Sequence, residues 1–300
     1  MEDLPKGFDL VRAGDGRLAL ARSLAPALAA AGYGLDSDGR TRASALSGRK
    51  PLVELETTAG VFLIRRFTHG GLLRFLTRDR FADPERPFRE LAVTAELARA
   101  GVPAPEVAAA RARPAPVFGW RLEILTRRID GAADLAAILD RARSGDVDRR
   151  TVGRVAASFG RLVRAMHDAG CSHADLTTKN ALVREDSLAS RAPETLILDL
   201  DRARIDRVLA PAVRVANLAR LYRYVLRAEG GARRALARTD FARFLAAYEP
   251  DARERRRIAR AVLSAEARGR ALHALAFAFE SVFGARGKAP TASPRSRILG

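Results

Sequence analysis

The chain has 300 residues, enough for one two-lobed unit with a substantial core, and its 48% hydrophobic content is that of an ordinary globular protein. One cysteine, Cys171, excludes an internal disulfide and points to a reducing compartment. The net charge of +18, at a sequence pI of about 11.3, attracts polyanions such as lipid head groups, phosphorylated glycans or nucleic acid, although arginines that merely solvate helix faces produce the same total.

Lysine is confined to Lys6, Lys50, Lys179 and Lys288, so the positive charge is almost all arginine. The start, Met1-Glu-Asp-Leu-Pro-Lys6, lacks the basic and apolar segments of a signal peptide, and no apolar stretch has the length of a membrane span. The expected location is therefore the cytoplasm. Aromatic residues are only 6% and no basic stripe is interleaved with them, which argues against specific nucleic-acid binding.

In chain order, residues 1–45 combine an apolar piece at Phe8 to Val11, a Gly-Asp-Gly turn and an Ala/Leu-rich helix from about Ala21 to Ala31. Leu52 to Glu56 and Val61 to Arg65 flank a turn at Thr57 to Gly60 and read as paired antiparallel strands. A helix follows, with Asp83 as N-cap, Pro84 in its first turn and Phe88, Leu91, Thr94, Ala95, Leu97 and Ala98 on one face. Gly101, Pro103 and Pro105 end it. Val117 to Leu125 alternates as a strand, with Trp120, Leu122 and Ile124 on one side.

A hinge near Thr126 to Gly131 leads into a helical half. The amphipathic segment from Val152 to Met166 ends at Gly170, and further helices are expected at Val213 to Ala228, Phe241 to Tyr248, Arg255 to Arg268 and Ala271 to Phe283. Residues 284–300 are Gly/Pro/Ser/Arg-rich and read as a disordered basic tail. No internal repeat is present. The domain expectation is one unit over 1–283, with lobes at about 1–127 and 128–283.

Chemistry concentrates between residues 173 and 201: His173-Ala-Asp175-Leu-Thr-Thr-Lys179-Asn180, an apolar run Leu196-Ile-Leu198, then Asp199-Leu-Asp201. This is the layout of a kinase catalytic loop followed by a strand that carries a metal-binding aspartate. One carboxylate must take the proton of the acceptor hydroxyl, while a second carboxylate and an amide oxygen hold Mg2+ on the triphosphate; Asp175, Asp199 and Asn180 fit those parts. The chain contains four histidines and two asparagines, which makes the pattern hard to reach by chance.

Asp201 is a further metal candidate, and His173 and Lys179 join Asp175 as catalytic candidates, with Lys179 placed to neutralise the transferred phosphoryl group. The cation on the nucleotide phosphates is expected from the N-terminal sheet, held by a helix carboxylate. Arg65 with Glu90 fits, with arginine where lysine is usual; alternation leaves Arg66 as the other candidate. Ser47-Gly48-Arg49-Lys50 stands where a phosphate loop belongs, so Gly48 and Arg49 are candidate nucleotide contacts, though an ordinary turn has the same composition.

These motifs resemble the lipopolysaccharide core kinases, especially the 3-deoxy-manno-octulosonic acid (Kdo) kinases. The resemblance runs from about Gly48 to Leu226. It rests on Ile64-Arg65-Arg66-Phe67 with Gly70-Gly71-Leu72, Phe88-Arg89-Glu90-Leu91, Gly101-Val-Pro103-Ala-Pro105 and Met166-His167-Asp168-Ala-Gly170. It continues through His173-Ala-Asp175-Leu176, Asn180, Leu198-Asp199-Leu200-Asp201-Arg202 and Asn217-Leu-Ala-Arg220-Leu221. Departures are Leu200 in place of phenylalanine, Thr68-His69 before the glycine pair, and Thr177-Thr178-Lys179 in the loop.

The resemblance implies an α+β, protein-kinase-like bilobal fold: a small N-terminal antiparallel sheet lobe with one key helix, and a larger, mainly helical C-terminal lobe. It implies ATP and Mg2+ as cofactors, Asp175 as base, Asn180 and Asp199 as metal ligands, and Arg65 with Glu90 as the nucleotide-side pair. The expected substrate is a lipid A-linked core oligosaccharide, phosphorylated on a sugar hydroxyl at the cytoplasmic face of the inner membrane. The basic surface would hold the enzyme peripherally on anionic lipid. A protein or soluble small-molecule kinase, or a pseudokinase binding nucleotide or glycolipid, is the alternative. Ala210-Pro211-Ala212 lacks the glutamate of a protein-kinase activation segment.

Overall fold

The computed structural model describes residues 4–44, 52–68, 79–231 and 234–283, with side chains to residue 268. The N-terminal half is a seven-stranded antiparallel sheet built from β1 (Phe8–Ala13), β2 (Gly16–Ala21), β3 (Thr41–Ala43), β4 (Val53–Thr57), β5 (Gly60–Arg66), β6 (Val107–Pro114) and β7 (Trp120–Arg127). Their order across the sheet is β1-β2-β6-β7-β5-β4-β3. The expected strand pair is β4 and β5, joined through the Thr57 to Gly60 turn. Helix α1 (Ala25–Ala30) is shorter than the Ala21 to Ala31 segment expected, because residues up to Ala21 are taken into β2 and paired with β1.

Alternation along β5 sends Phe62 and Ile64 to one face, where they meet Leu28, Tyr33, Leu55 and Leu125. Phe67 lies on the other face with Leu91, Leu122 and Ile124, beneath α2 (Arg86–Arg99). The N-cap of α2 is Glu85, two residues beyond the expected Asp83. Pro87 has no N–H to donate to the Asp83 carbonyl, so the first helical bond runs from Arg89 N–H to the Glu85 carbonyl at 2.9 Å. Asp83 accepts the Glu85 N–H instead.

Leu97 of α2 and Val102, just past Gly101, enter the core of the C-terminal half, and the Pro103 carbonyl accepts the Ile197 N–H at 2.9 Å. The joint between the halves is thus built on backbone and core, close to α2.

That second half contains β8 (Ala132–Asp134), α3 (Leu135–Ser144), α4 (Arg149–Asp168), β9 (Cys171–Ser172), β10 (Ala181–Arg184), β11 (Thr195–Ile197), β12 (Arg204–Ile205), α5 (Pro211–Ala228), α6 (Arg238–Tyr248) and α7 (Ala252–Phe283). Asp148 caps α4 by accepting the N–H groups of Arg150 and Thr151. Gly160 lets α6 lie against α4, since a Cβ there would sit 2.4 Å from the Phe244 carbonyl oxygen. Helix α7 is continuous where two helices were expected around Gly269. One glycine costs a helix only about 1 kcal/mol, too little to break a long one.

Candidate active site

Gly170 turns the chain out of α4 with φ +78°, and a side chain there would strike the Asp206 carbonyl. The next residues form β9 and then the catalytic-loop sequence. His173 is buried, and its ring joins the two segments that carry the carboxylates. Nδ1 accepts the Asp175 N–H at 3.0 Å, so Nε2 carries the proton and donates to the Leu198 carbonyl at 2.8 Å. Burial holds this imidazole below its ordinary pKa, against the Leu198 carbonyl and the carboxylates of Asp199 and Asp175. A buried neutral ring with both nitrogens engaged ties the two segments together.

Asp175 is 55% exposed and Asp199 45% exposed, so both carboxylates can meet ligands. Asn180 donates through Nδ2 to the Asp175 carbonyl at 2.8 Å and its carboxylate at 3.3 Å. Its amide oxygen is left to coordinate a cation. Asp199 has φ +56°, the one left-handed non-glycine residue among those described. Such a conformation costs about 1 kcal/mol or more, and aspartate tolerates it better than most residues. Arg220 Nη1 lies 4.0 Å from the Asp175 carboxylate.

Across from these groups stands Arg65. One arm of its guanidinium pairs with Glu90 and the other lies 3.4 Å from Asp199, while the Phe67 ring sits 4.7 Å from the guanidinium carbon. Arg66 points to the opposite sheet face, where it pairs with Glu123 at 2.9 Å and Asp38 at 2.5 Å. Strand alternation therefore turns Arg65, and not Arg66, toward Glu90 and Asp199. Burial pushes the Glu90 carboxyl up to about 7 against the pull of Arg65, and Asp199 and Asp201 add to the rise. Asp201, expected as a metal candidate, is held on both carboxylate oxygens by Arg86. Lys179 is exposed in the short turn Thr178–Asn180. Gly48 and Arg49 lie outside the described residues.

Among the described residues no cluster of three or more His, Cys, Asp or Glu side chains forms a metal cage. Two hard oxygen donors, the Asp199 carboxylate and the Asn180 amide, suit Mg2+, which takes its remaining ligands from phosphate and water. Cys171 is buried, and burial pushes its thiol up to about 12, so it is no nucleophile.

Beneath the loop, Asn217 Oδ1 accepts the His173 N–H at 2.8 Å and lies 3.4 Å from His167 Nε2, while His167 Nδ1 accepts from the Tyr248 hydroxyl at 2.8 Å. Asn217 was marked in sequence only as part of the Asn217-Leu-Ala-Arg220-Leu221 motif, without a role; Arg86, among 53 basic residues, carried no signal.

Burial depresses His167 from the ordinary 6.5 to about 4. On acidification the unfolded chain protonates first, so this residue's contribution is complete above pH 6.5 and disappears by pH 4. Its size is about 3 kcal/mol. The unfolding midpoint should fall steeply over that range, and His167→Gln, though less stable at pH 7, should lose less on acidification. Parallel pH curves for the two proteins would refute the buried neutral imidazole.

Comparisons with known proteins bear on the family and the fold. A family profile described as the lipopolysaccharide kinase (Kdo/WaaP) family matches residues 42–248. The 3-deoxy-D-manno-octulosonic acid kinase of Xylella fastidiosa (strain 9a5c) is 30% identical over 218 residues, covering 70% of this chain and 80% of that protein. The enzyme of the same name from Actinobacillus succinogenes is 30% identical over 168 residues, covering 55% of this chain and 65% of that protein, just under two thirds of its length.

A solved structure titled "WaaP in complex with acyl carrier protein" superposes with a TM-score of 0.55 at 22% identity, covering 77% of this chain and 87% of that one, and establishes the protein-kinase-like fold. By its catalytic-loop sequence, its fold and its matched residues, the chain belongs to the lipopolysaccharide kinase (Kdo/WaaP) family and is a phosphotransferase with an alcohol group as acceptor.

Proposed function

We propose that the protein uses ATP and Mg2+ to phosphorylate a hydroxyl of Kdo in the lipid A-linked inner core, at the cytoplasmic face of the inner membrane. The observation that carries the reading is the single ring of His173, which ties the backbone of Asp175 to the carbonyl preceding Asp199 and so sets two exposed carboxylates opposite Arg65 and Glu90.

In this reading Asn180 and Asp199 hold Mg2+, which supplies charge neutralisation on the triphosphate. Arg65, kept in place by buried Glu90 and the Phe67 ring, binds phosphate oxygens through its planar fork. Asp175 accepts the proton of the sugar hydroxyl as its oxygen bonds to the γ-phosphorus, and the bond to the β,γ-bridging oxygen breaks with ADP leaving. Lys179 and the Gly48-Arg49 segment would face the transferred group and the phosphates. Residues 1–283 act as one unit, followed by a basic tail.

Transfer of label from ATP to Kdo-lipid A, with none to the Kdo-free lipid A precursor, is the expected result. Equal labelling of the precursor, or labelling only of soluble sugars, would assign another acceptor.

The membrane part of the reading is supported by α7. Arg253, Arg256, Arg257, Arg260 and Arg268 follow the spacing of one helix face, and all are exposed, as is Leu263 on the same stripe. Val262 and Glu266 lie on the buried side. No described helix is long and apolar enough to cross a membrane. Each arginine near an anionic surface contributes about 1 kcal/mol, so replacing the first four by alanine should weaken binding to vesicles containing phosphatidylglycerol by about 10²- to 10³-fold. Sedimentation with vesicles measures this; unchanged binding would place the membrane-facing surface elsewhere.

A further inference from the structure

We propose that Asp201 is not a metal ligand but one half of a bridge between the lobes, and that Arg86 is a positioning residue for phosphotransfer. The inference rests on the phosphotransferase reading of the site and is independent of the acceptor.

Arg86 is the first residue of α2 in the N-terminal lobe, while Asp201 lies just past β11 in the C-terminal lobe. The Arg86 guanidinium engages both Asp201 oxygens, Nε at 2.5 Å from one and Nη2 on the other. Two parallel charge-assisted bonds leave the carboxylate little capacity for a cation. The pair is also sheltered: side-chain exposure is 19% for Arg86 and 15% for Asp201, against 45% for Asp199. Breaking up such a pair to free Asp201 for metal would strand a desolvated guanidinium.

The aromatic surroundings show what the bridge aligns. The guanidinium carbon of Arg86 lies 5.2 Å from the Phe67 ring and 5.0 Å from the Phe81 ring, and those rings meet edge to face at 6.4 Å. Arg65 uses the same Phe67 ring. The two aspartates of Asp199-Leu200-Asp201 thus face two arginines that share one aromatic platform, Asp199 with Arg65 and Asp201 with Arg86. The contact at Asp199 is long and open, suited to exchange with ligands; the contact at Asp201 is bidentate and covered.

Glu90 lies one helical turn beyond Arg86 on α2, so fixing Arg86 to the Asp201 loop also fixes where Glu90 holds Arg65 relative to Asp199. The bridge sets the separation between the phosphate-binding cation and the metal-binding carboxylate. Leu200, between the aspartates, is buried in the C-terminal core and anchors the loop on that side.

A double-mutant cycle on the full chain with Arg86→Ala and Asp201→Ala tests this, with Mg2+-dependent ATP binding, phosphotransfer and the unfolding midpoint as readouts. Each single variant should lower kcat/KM on the order of 10²-fold, the cost of displacing reacting groups by an ångström or so. The Mg2+ concentration that half-saturates ATP binding should stay that of the wild type. The double variant should be no worse than the poorer single variant, because both remove one interaction.

Additive losses, with Asp201→Ala alone raising the Mg2+ requirement, would overturn the proposal and make Asp201 a ligand. Single variants with wild-type kcat/KM would overturn it as well. If a single variant unfolds too readily, Arg86→Gln and Asp201→Asn repeat the cycle with shape preserved. A wild type that binds no Mg-ATP would instead sink the phosphotransferase reading itself.

Discussion

Asp175→Ala is expected to reduce phosphotransfer by about 10²- to 10⁴-fold, the range for removing a positioned general base. The unfolding midpoint should stay close to that of the wild type, because the side chain is 55% exposed and its main internal contact is the long one, 3.3 Å, from Asn180. The loop keeps its shape without it: the Asp175 N–H still donates to His173, and Asn180 still donates to the Asp175 carbonyl. ATP binding should therefore persist while transfer fails. Asp199→Ala should abolish transfer too, but through nucleotide and metal, so ATP binding should fall with it. Activity of Asp175→Ala within tenfold of wild type would remove Asp175 from the chemistry, and the separation of the two binding phenotypes distinguishes base from metal ligand.

The second large effect concerns stability. Arg111 on β6 is 0% exposed, and its guanidinium reaches Glu123, Asp38 and the carbonyls of Gly34 and Ser37, the last two at 2.5 and 2.7 Å. Tyr33 stacks on it at 4.7 Å. Arg111→Ala leaves Glu123, itself 2% exposed, without its main partner and frees two carbonyls. Removing one member of a buried pair costs about 3–5 kcal/mol. The lower end is expected, because Arg66 and Arg113 also reach Glu123, at 2.9 and 3.4 Å.

Urea denaturation measures the loss, and a change under about 1 kcal/mol would show the network to be redundant. Replacing both partners, as Arg111→Met with Glu123→Leu, should recover only the part of the loss that comes from stranding Glu123, since Asp38 and the carbonyls of Gly34 and Ser37 still lose the guanidinium.

Much of the site was legible because the chemistry is local. Asp175 and Asn180 sit five residues apart in one loop, and the run from Leu196 to Leu198 could only be a buried strand delivering Asp199. Helix ends were less legible. Asp83 looked like the cap of α2, but Pro87 decided otherwise by lacking a donor. The lone Gly269 looked like a break in α7 and was not one. Arg65 and Arg66 could not be separated from sequence, since alternation gives opposite faces without saying which is which; the structure puts Arg65 on the face that α2 covers, against Glu90, and Arg66 on the other.

The amino-acid sequence by itself determined the residue types of the candidate site, the order of sheet and helices, and the spacing that puts Asp175 and Asn180 in one loop and Asp199 at the end of the following strand. Those properties follow from hydrophobic period and from motifs a few residues long. Tertiary structure alone decided other pairings over long separations: Arg86 with Asp201, and His167 and His173 with Asn217. Such contacts depend on how two lobes meet. No local pattern encodes which of 53 basic residues will face a given carboxylate once the core has closed.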